Sequence, residues 1–503
     1  MLTANADQDL YLRHAATLAL SRISTSAQLG ELAGHGQRSV RMGGVLALRM
    51  QKSADIQKYL NDSDASIVAE AVRGIHDDES IPAALPAVAA MIQNPALTAE
   101  PVVRRIISAC LRVGDEQSLE GLIGFIKRPQ VHPAMRAEAI AALSTWAEPS
   151  VLDRVDGRYR GEVKRDATPL QTKIKPEINS LLAAKDPEIQ SAIIQLIGEL
   201  NLTDFRAPLQ NMYLVKVAPG VKSAILNTLA KLNEPQLAGL VSMGLKDADS
   251  GVRTTALGLL DKISLEQSVL ISTVQEFMRK GSDQEKQRLM GVLGKLPADQ
   301  VQDLYAAFIQ DLKAKKLPEV VTLELTEAIA VNGNQDIKDL MAAAIKSENK
   351  LDAYRMALIG GNRWAGYQVF NENSTAQCIR CHTLGGAGSN VGPNLSAIGA
   401  TLTREQILES IVDPSARIAP GYGTVTLTLK DGQEVTGRLA EETARQLTLI
   451  TSAAEPLEVP LERITKRINQ PSSMPPMGDA LTKRQLRDLV ELLSNAKGVR
   501  SNQ

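Results

Sequence analysis

The residues best suited to chemistry are Cys378-Ile379-Arg380-Cys381-His382. Two thiols spaced C-x-x-C can form thioethers with a haem, and the adjoining imidazole can ligate its iron. The chain has 3 cysteines and 5 histidines in 503 residues. Chance assembly of the string from that composition runs at about one in ten thousand. A thioredoxin-like dithiol calls for a βαβ setting, whereas this pair lies in the polar stretch "NENSTAQCIRCHTLGGAGSN". A structural zinc site needs four ligands, and the other candidates (Cys110, His14, His35, His76 and His132) all lie far upstream. Cys110 follows an apolar helical pattern and reads as a buried thiol. The string therefore predicts one covalently bound haem c.

His382 supplies one axial ligand, and a methionine sulfur is the usual partner in electron-transfer sites. "NQPSSMPPMGDALT" presents Met474 from a segment whose prolines disfavour regular helix, with Met477 as the alternative. A metal-bound imidazole donates its other N–H to an oxygen. The carbonyl of Pro393, in a turn shaped by Gly392 and Asn394, is the candidate acceptor. Gly366 and Phe370 suit a close helix crossing, which is packing and not chemistry.

Three helices are expected to position these groups. Trp364, Tyr367 and Phe370 mark the first. Thr403 and Gln406 form the capping box of the second, which Asp413-Pro414 ends. The third has a box at Thr482 and Gln485 and a buried stripe of Leu486, Leu489, Val490 and Leu493. Between the last two, residues 422–468 alternate β-branched and polar side chains, with Asp431-Gly432 as a tight turn. They read as an antiparallel insertion of four or five strands.

Residues 1–350 read as repeats of a turn residue, an apolar residue, often Arg, then Ala-rich helix. Arg13, Arg41, Val68, Arg104, Arg136, Gln190, Lys222 and Arg253 take the equivalent position, about 30 apart save for a gap of 54 after Arg136. In one copy Ile189, Ala192, Ile193, Leu196, Ile197 and Leu200 make a single apolar stripe that a neighbouring helix must cover. The pattern resembles HEAT repeats, best in "DSGVRTTA" (Asp249 to Ala256). The 54-residue gap holds a charged stretch, "TWAEPSVLDRVDGRYRGEVKRDATPLQTK", that reads as an extended insertion crossing the repeat surface, a solvated loop or, as the alternative, a docking segment. The fold expected is mainly α: a HEAT-like α-α superhelical solenoid over 1–350, then a cytochrome c-type helical domain (351–421 and 469–503) interrupted by the small β insertion at 422–468.

Hydrophobic residues make up 44% of the chain and aromatics 3%. The core must therefore be Ala, Leu, Ile and Val, which suits helix on helix. A net charge of −1 marks no nucleic-acid or anionic-membrane partner, and no apolar run reaches the roughly 18 residues of a transmembrane helix. The first residues lack the basic and apolar regions of a signal peptide. Covalent haem attachment ordinarily occurs outside the cytoplasm, so a periplasmic or otherwise exported protein with an upstream signal is expected.

"CIRCH", "VGPNLSAIGATLTREQILESIVDPSARIAPGY", the β segment and "SSMPPMGDALTKRQLRDLVELL" together resemble the haem-binding C-terminal domain common in Planctomycetes and Verrucomicrobia. The resemblance covers about residues 360–497. It implies haem on Cys378 and Cys381, His382 proximal, and Met474 distal in a Ser-x-Met-Pro pattern. Members often carry HEAT-like repeats and, before them, a β-propeller similar to sugar dehydrogenases; no propeller strands are legible in 1–350. The function expected is a monohaem c-type cytochrome that transfers electrons from a repeat-built interaction scaffold, and not an enzyme by itself. The alternative is the electron-accepting C-terminal part of a sugar- or alcohol-type periplasmic dehydrogenase complex. The expected partner is a redox protein, a dehydrogenase or a membrane electron-transfer complex, docking on the solenoid or at the haem edge.

Overall fold

The computed structural model describes residues 1–77, 81–96, 98–347, 349–453 and 455–498. The ends of the expected 469–503 segment beyond 498, and residue 454 of the β insertion, lie outside them. The chain divides into two compact units, residues 1–259 and 260–503.

The first unit is a stack of helical hairpins. Its second helices are Leu10–Ile23, Arg38–Met50, Ala65–His76, Glu100–Val113, Pro133–Ser144, Pro187–Glu199, Pro219–Lys231 and Ser250–Leu257, and each packs on the next. Stacking follows from their stripes: Ile189, Ala192, Ile193, Leu196 and Ile197 are all buried. Burying each large aliphatic among them contributes about 1.5–3 kcal/mol, which one hairpin alone cannot obtain.

The recurring basic position falls in the first turns of every second helix. A side chain there leans back toward the helix N-terminus, and at four of these positions it reaches a carbonyl before the helix. Arg41 Nη1 donates to His35 O at 3.0 Å, Arg136 Nε to Ile126 O at 2.7 Å, and Arg253 Nη1 to Asp247 O at 2.9 Å. Gln190 does the same to Ala184 O at 2.9 Å, so a neutral donor serves. Arg41 also forks onto Asp62 at 2.8 and 3.1 Å, and Lys222 meets Asp247 at 2.6 Å, linking one hairpin to the next.

Within the 54-residue gap, the stretch between helices Pro133–Ser144 and Thr168–Leu182 differs from the solvated loop expected. It crosses the hairpins as a strap pinned by buried charge. Asp153, with a fully buried side chain, accepts from Ser108 Oγ at 3.0 Å and faces Arg160 Nε at 3.3 Å and His76 Nε2 at 3.6 Å. Arg160 donates to His76 O, and Arg165 to Leu111 O and Arg112 O, placing cations on the carbonyl ends of two helices. Arg165 also lies over the Trp146 ring. Burial works to raise the Asp153 carboxyl, but the Val155 N–H, His76, Ser108 and Arg160 outweigh it and hold it below the usual range.

In the second unit, Asp283–Leu293 packs on Thr322–Asn332, and Ala298–Lys313 on Gln335–Ile345. A 3-10 stretch, Lys350–Ala357, leads to helices Arg363–Glu372 and Arg404–Val412, and Lys483–Ser494 ends the described fold. That C-terminal helix packs against all three of these. Leu486, Leu489, Val490 and Leu493 are buried in a core that includes Phe370, Ile407, Leu408 and Ile411. Both capping boxes form as read. The insertion has five strands: β3 (Thr424–Leu429), β4 (Glu434–Glu442), β5 (Gln446–Ile450), β6 (Leu457–Pro460) and β7 (Ile464–Asn469), in sheet order β6-β5-β4-β3-β7. They follow the two-residue ribbon of β1 (Thr383–Leu384) and β2 (Ala387–Gly388). Alternation buries Val425, Leu427, Leu429, Leu447, Leu449 and Val459 in a separate small core. Gly432, at φ +83°, makes the turn between β3 and β4.

The last repeat helices belong to this second unit. Arg487, 5% exposed, forks onto Glu324, 3% exposed, at 3.1 and 2.9 Å. Arg484 pairs with Glu327, and Gln287 Nε2 donates to Gly360 O at 3.0 Å. Removing one partner of such a buried pair costs about 3–5 kcal/mol.

Asp153 yields a test. Its depressed carboxyl contributes stability that is present above the ordinary carboxylate range and is lost on acidification. Asp153→Asn should lower stability at neutral pH by about 3 kcal/mol in denaturant titrations followed by circular dichroism. It should also flatten the loss of stability that the wild type shows between about pH 5 and pH 1.

Candidate haem-binding site

Helix Arg363–Glu372 delivers the two thiols. Asn373, just past its end, turns the chain by accepting from Thr375 N at 2.9 Å and Ala376 N at 2.8 Å. Gln377 then takes a left-handed conformation, φ +46°, which a side chain with Cβ adopts at a cost. A 3-10 turn, Cys378–Arg380, follows, and the N–H groups of Cys381 and His382 both donate to Cys378 O, at 3.1 and 2.9 Å. Both thiols and the imidazole therefore sit on one tight turn. Cys378 is half-buried and Cys381 exposed; burial pushes the Cys378 thiol up to about 11.

The imidazole is fixed on two sides. His382 Nδ1 lies 2.9 Å from Pro393 O, and since a carbonyl only accepts, Nδ1 is the donor and in the neutral ring Nε2 carries the lone pair. A Cβ on Gly392 would lie 2.6 Å from Cε1 of the ring and 2.8 Å from Nδ1, so only glycine lets the backbone floor the imidazole. The loop is held in register by Gly392 N to Cys381 O at 2.6 Å and Leu395 N to Thr383 O at 2.8 Å. Asn394 Oδ1 accepts from Ser396 N at 2.9 Å.

The two methionines part company. Met477 is a core residue, 8% exposed, with its N–H donating to Ile411 O at 3.0 Å. Met474 is half-buried and packs at the fringe of the same core, as do Cys378, Ile379, Leu384, Leu395, Ile398 and Leu402. This fringe of half-covered apolar side chains fits a flat apolar macrocycle, the two thiols suit its covalent attachment, and the imidazole and thioether suit its iron.

Gly366 and Phe370 lie where the reading put them. A Cβ on Gly366 would meet Asp488 O at 2.1 Å, which fixes the close crossing with the C-terminal helix. Sequence reasoning missed Asn373, the left-handed Gln377 and Gly388, whose Cβ would strike His382 O at 2.2 Å. Glycine density in "GGAGSNVG" was the one available signal for the last. Among the described residues, His76, Asp77 and Asp156 also have metal-ligand spacing. Arg105 forks onto Asp77 at 2.9 Å and Arg160 pairs with Asp156 at 2.8 Å, so guanidiniums already balance these carboxylates.

No protein-family model and no curated protein matches the chain. Among solved structures, it is similar to Kap121p bound to Pho4p at 11% identity and TM-score 0.42, over 66% of this chain and 45% of that one. It is similar to importin beta at 12% identity and TM-score 0.43, over 77% and 53% of the two chains. It is also similar to the phycocyanin lyase complex of CpcE and CpcF from Nostoc sp. at 17% identity and TM-score 0.28, over 58% and 94%. TM-scores below 0.5 leave each a loose likeness.

The glycine floor is testable. Gly392→Ala should destabilise the domain by about 1–3 kcal/mol through overpacking, read by chemical denaturation. The His382 ring resonances should move in the same variant, because its imidazole has to leave the Pro393 carbonyl.

Proposed function

We propose that this chain is a monohaem c-type cytochrome that transfers electrons while mounted on a helical-repeat scaffold. The observation that carries the reading is the His382–Pro393 hydrogen bond beside the C-x-x-C turn: it leaves Nε2 as a ready ligand next to two thiols. Cys378 and Cys381 would hold the haem covalently, with His382 and Met474 as its axial ligands. When bound, haem supplies a one-electron Fe(III)/Fe(II) couple. The chain's own residues orient the ligands and, through Ile379, Leu384, Leu395, Ile398 and Leu402, exclude water from the apolar side. Lower polarity and a thioether ligand both favour Fe(II).

A redox partner, a dehydrogenase or a membrane electron-transfer complex, would dock on the repeats or at the haem edge, in the periplasm or another exported setting. Stacked repeats suit this role because they offer an extended surface to a protein partner. No helix among the described residues is long and apolar enough to cross a membrane.

The natively purified protein should carry a mass excess of one haem, lost in Cys378→Ala/Cys381→Ala. Met474→Ala should abolish the low-spin His/Met signature in absorption and magnetic circular dichroism, and lower the potential by on the order of 0.2 V. Met477→Leu should leave that signature in place. The opposite pair of results would assign the sulfur to Met477, and a protein purified without covalent haem would end the proposal.

A further inference from the structure

We infer that Glu324, a residue of the repeat region, is a positioning residue for the segment bearing Met474. The inference rests on the cytochrome reading above. Residues 470–481 contain no regular helix or strand, so their conformation is set by what they are tied to. Met477 N donates to Ile411 O at 3.0 Å, Leu481 N to Met477 O at 3.1 Å, and Tyr354 Oη to Asp479 Oδ1 at 3.0 Å. Met477 and Leu481 share their core with Leu486 and Leu489 of the C-terminal helix, which begins at once through the Thr482–Gln485 box. The segment is held at its start by Ser472 N donating to Ser415 Oγ at 3.1 Å, and its far end follows that helix.

Contacts on two sides set the helix from outside the haem core. On one side a Cβ on Gly361 would meet Arg487 O at 2.4 Å, and Asn362 N donates to Asp488 Oδ1 at 2.7 Å. On the other side Arg487 forks onto Glu324, both almost wholly buried. The helix carrying Glu324 is anchored in turn: Asn332 Nδ2 donates to Leu293 O at 2.8 Å and to Leu296 O at 2.9 Å. Arg484 and Glu327 are half exposed, so water and salt weaken that pair. A buried bidentate pair is short-ranged and directional, and a weak thioether ligand tolerates misplacement of only about 0.5 Å. Glu324 acts on the iron site only by fixing the rotation and height of the C-terminal helix.

The test uses the full haem-loaded chain. Glu324→Gln should let imidazole displace the methionine at a concentration at least about tenfold lower than in the wild type. In the haem-free Cys378→Ala/Cys381→Ala background, the same change should speed amide hydrogen exchange across 470–481 and leave β3 to β5 unchanged. Should Glu324→Gln alone fail to fold because Arg487 is left buried and unpaired, Glu324→Gln/Arg487→Gln removes the ion pair without a naked charge and should show both effects. Wild-type imidazole affinity and exchange in the folded variants would overturn the inference and leave the cytochrome reading standing. A wild-type chain without covalent haem would overturn both, and one with haem but no methionine ligand would overturn the inference alone.

Discussion

Helices here do not cover their own apolar stripes, and the need for a neighbour to cover them organises both units. In the first unit the solution is repetition, each second helix lying on the next from Leu10–Ile23 to Ser250–Leu257. In the second unit one helix, Lys483–Ser494, is shared by several neighbours: Arg363–Glu372, Arg404–Val412 and the Lys350–Ala357 stretch. Backbone approaches at Gly361, Gly366 and Gly399 are close enough that a methyl group at any of them would strike its carbonyls. Small residues at the crossings thus do for this domain what repetition does for the hairpins.

Charge then refines what burial has arranged. Basic side chains at the start of the second helices close the turns before them, and two of these positions reach an aspartate of the next hairpin. The strap over the first unit buries Asp153 among His76, Arg112 and Arg160, and the Arg487–Glu324 pair is buried in the second. Such pairs add little net stability over an apolar replacement, yet are costly to break singly. Their contribution is to fix geometry.

The site itself combines local and distant parts. The 3-10 turn, the Asn373 bend and the left-handed Gln377 are local and set the thiols and imidazole on one turn. Pro393 and Gly392 come from a loop folded back over ten residues later, and Met474 from beyond the whole β insertion. The insertion keeps its own small core of Val425, Leu427, Leu429, Leu447, Leu449 and Val459. The helices on either side of it, Arg404–Val412 and Lys483–Ser494, still pack on each other.

Much was legible in the chain because the signals were local or periodic. The C-x-x-C-H string, both capping boxes, the Asp431-Gly432 turn and the stripes at Ile189–Leu200 and Leu486–Leu493 depend on neighbours within a few positions, where spacing determines geometry. The His382–Pro393 contact was legible because a ligating imidazole demands an acceptor and the turn at Gly392 offered one. The rest lacked any such local cause. Sequence showed Met474 and Met477 as two methionines three residues apart; only the packing seated Met477 in the core and left Met474 at its fringe. The charged run after Thr145 had the composition of a solvated loop, and the distant partners His76 and Ser108, the second 45 positions upstream, were needed to bury its aspartate. Glu324 and Arg487, 163 positions apart, carry no mark of each other in the sequence. Ion pairs and core places are settled by which surfaces meet, and that is a property of the folded chain.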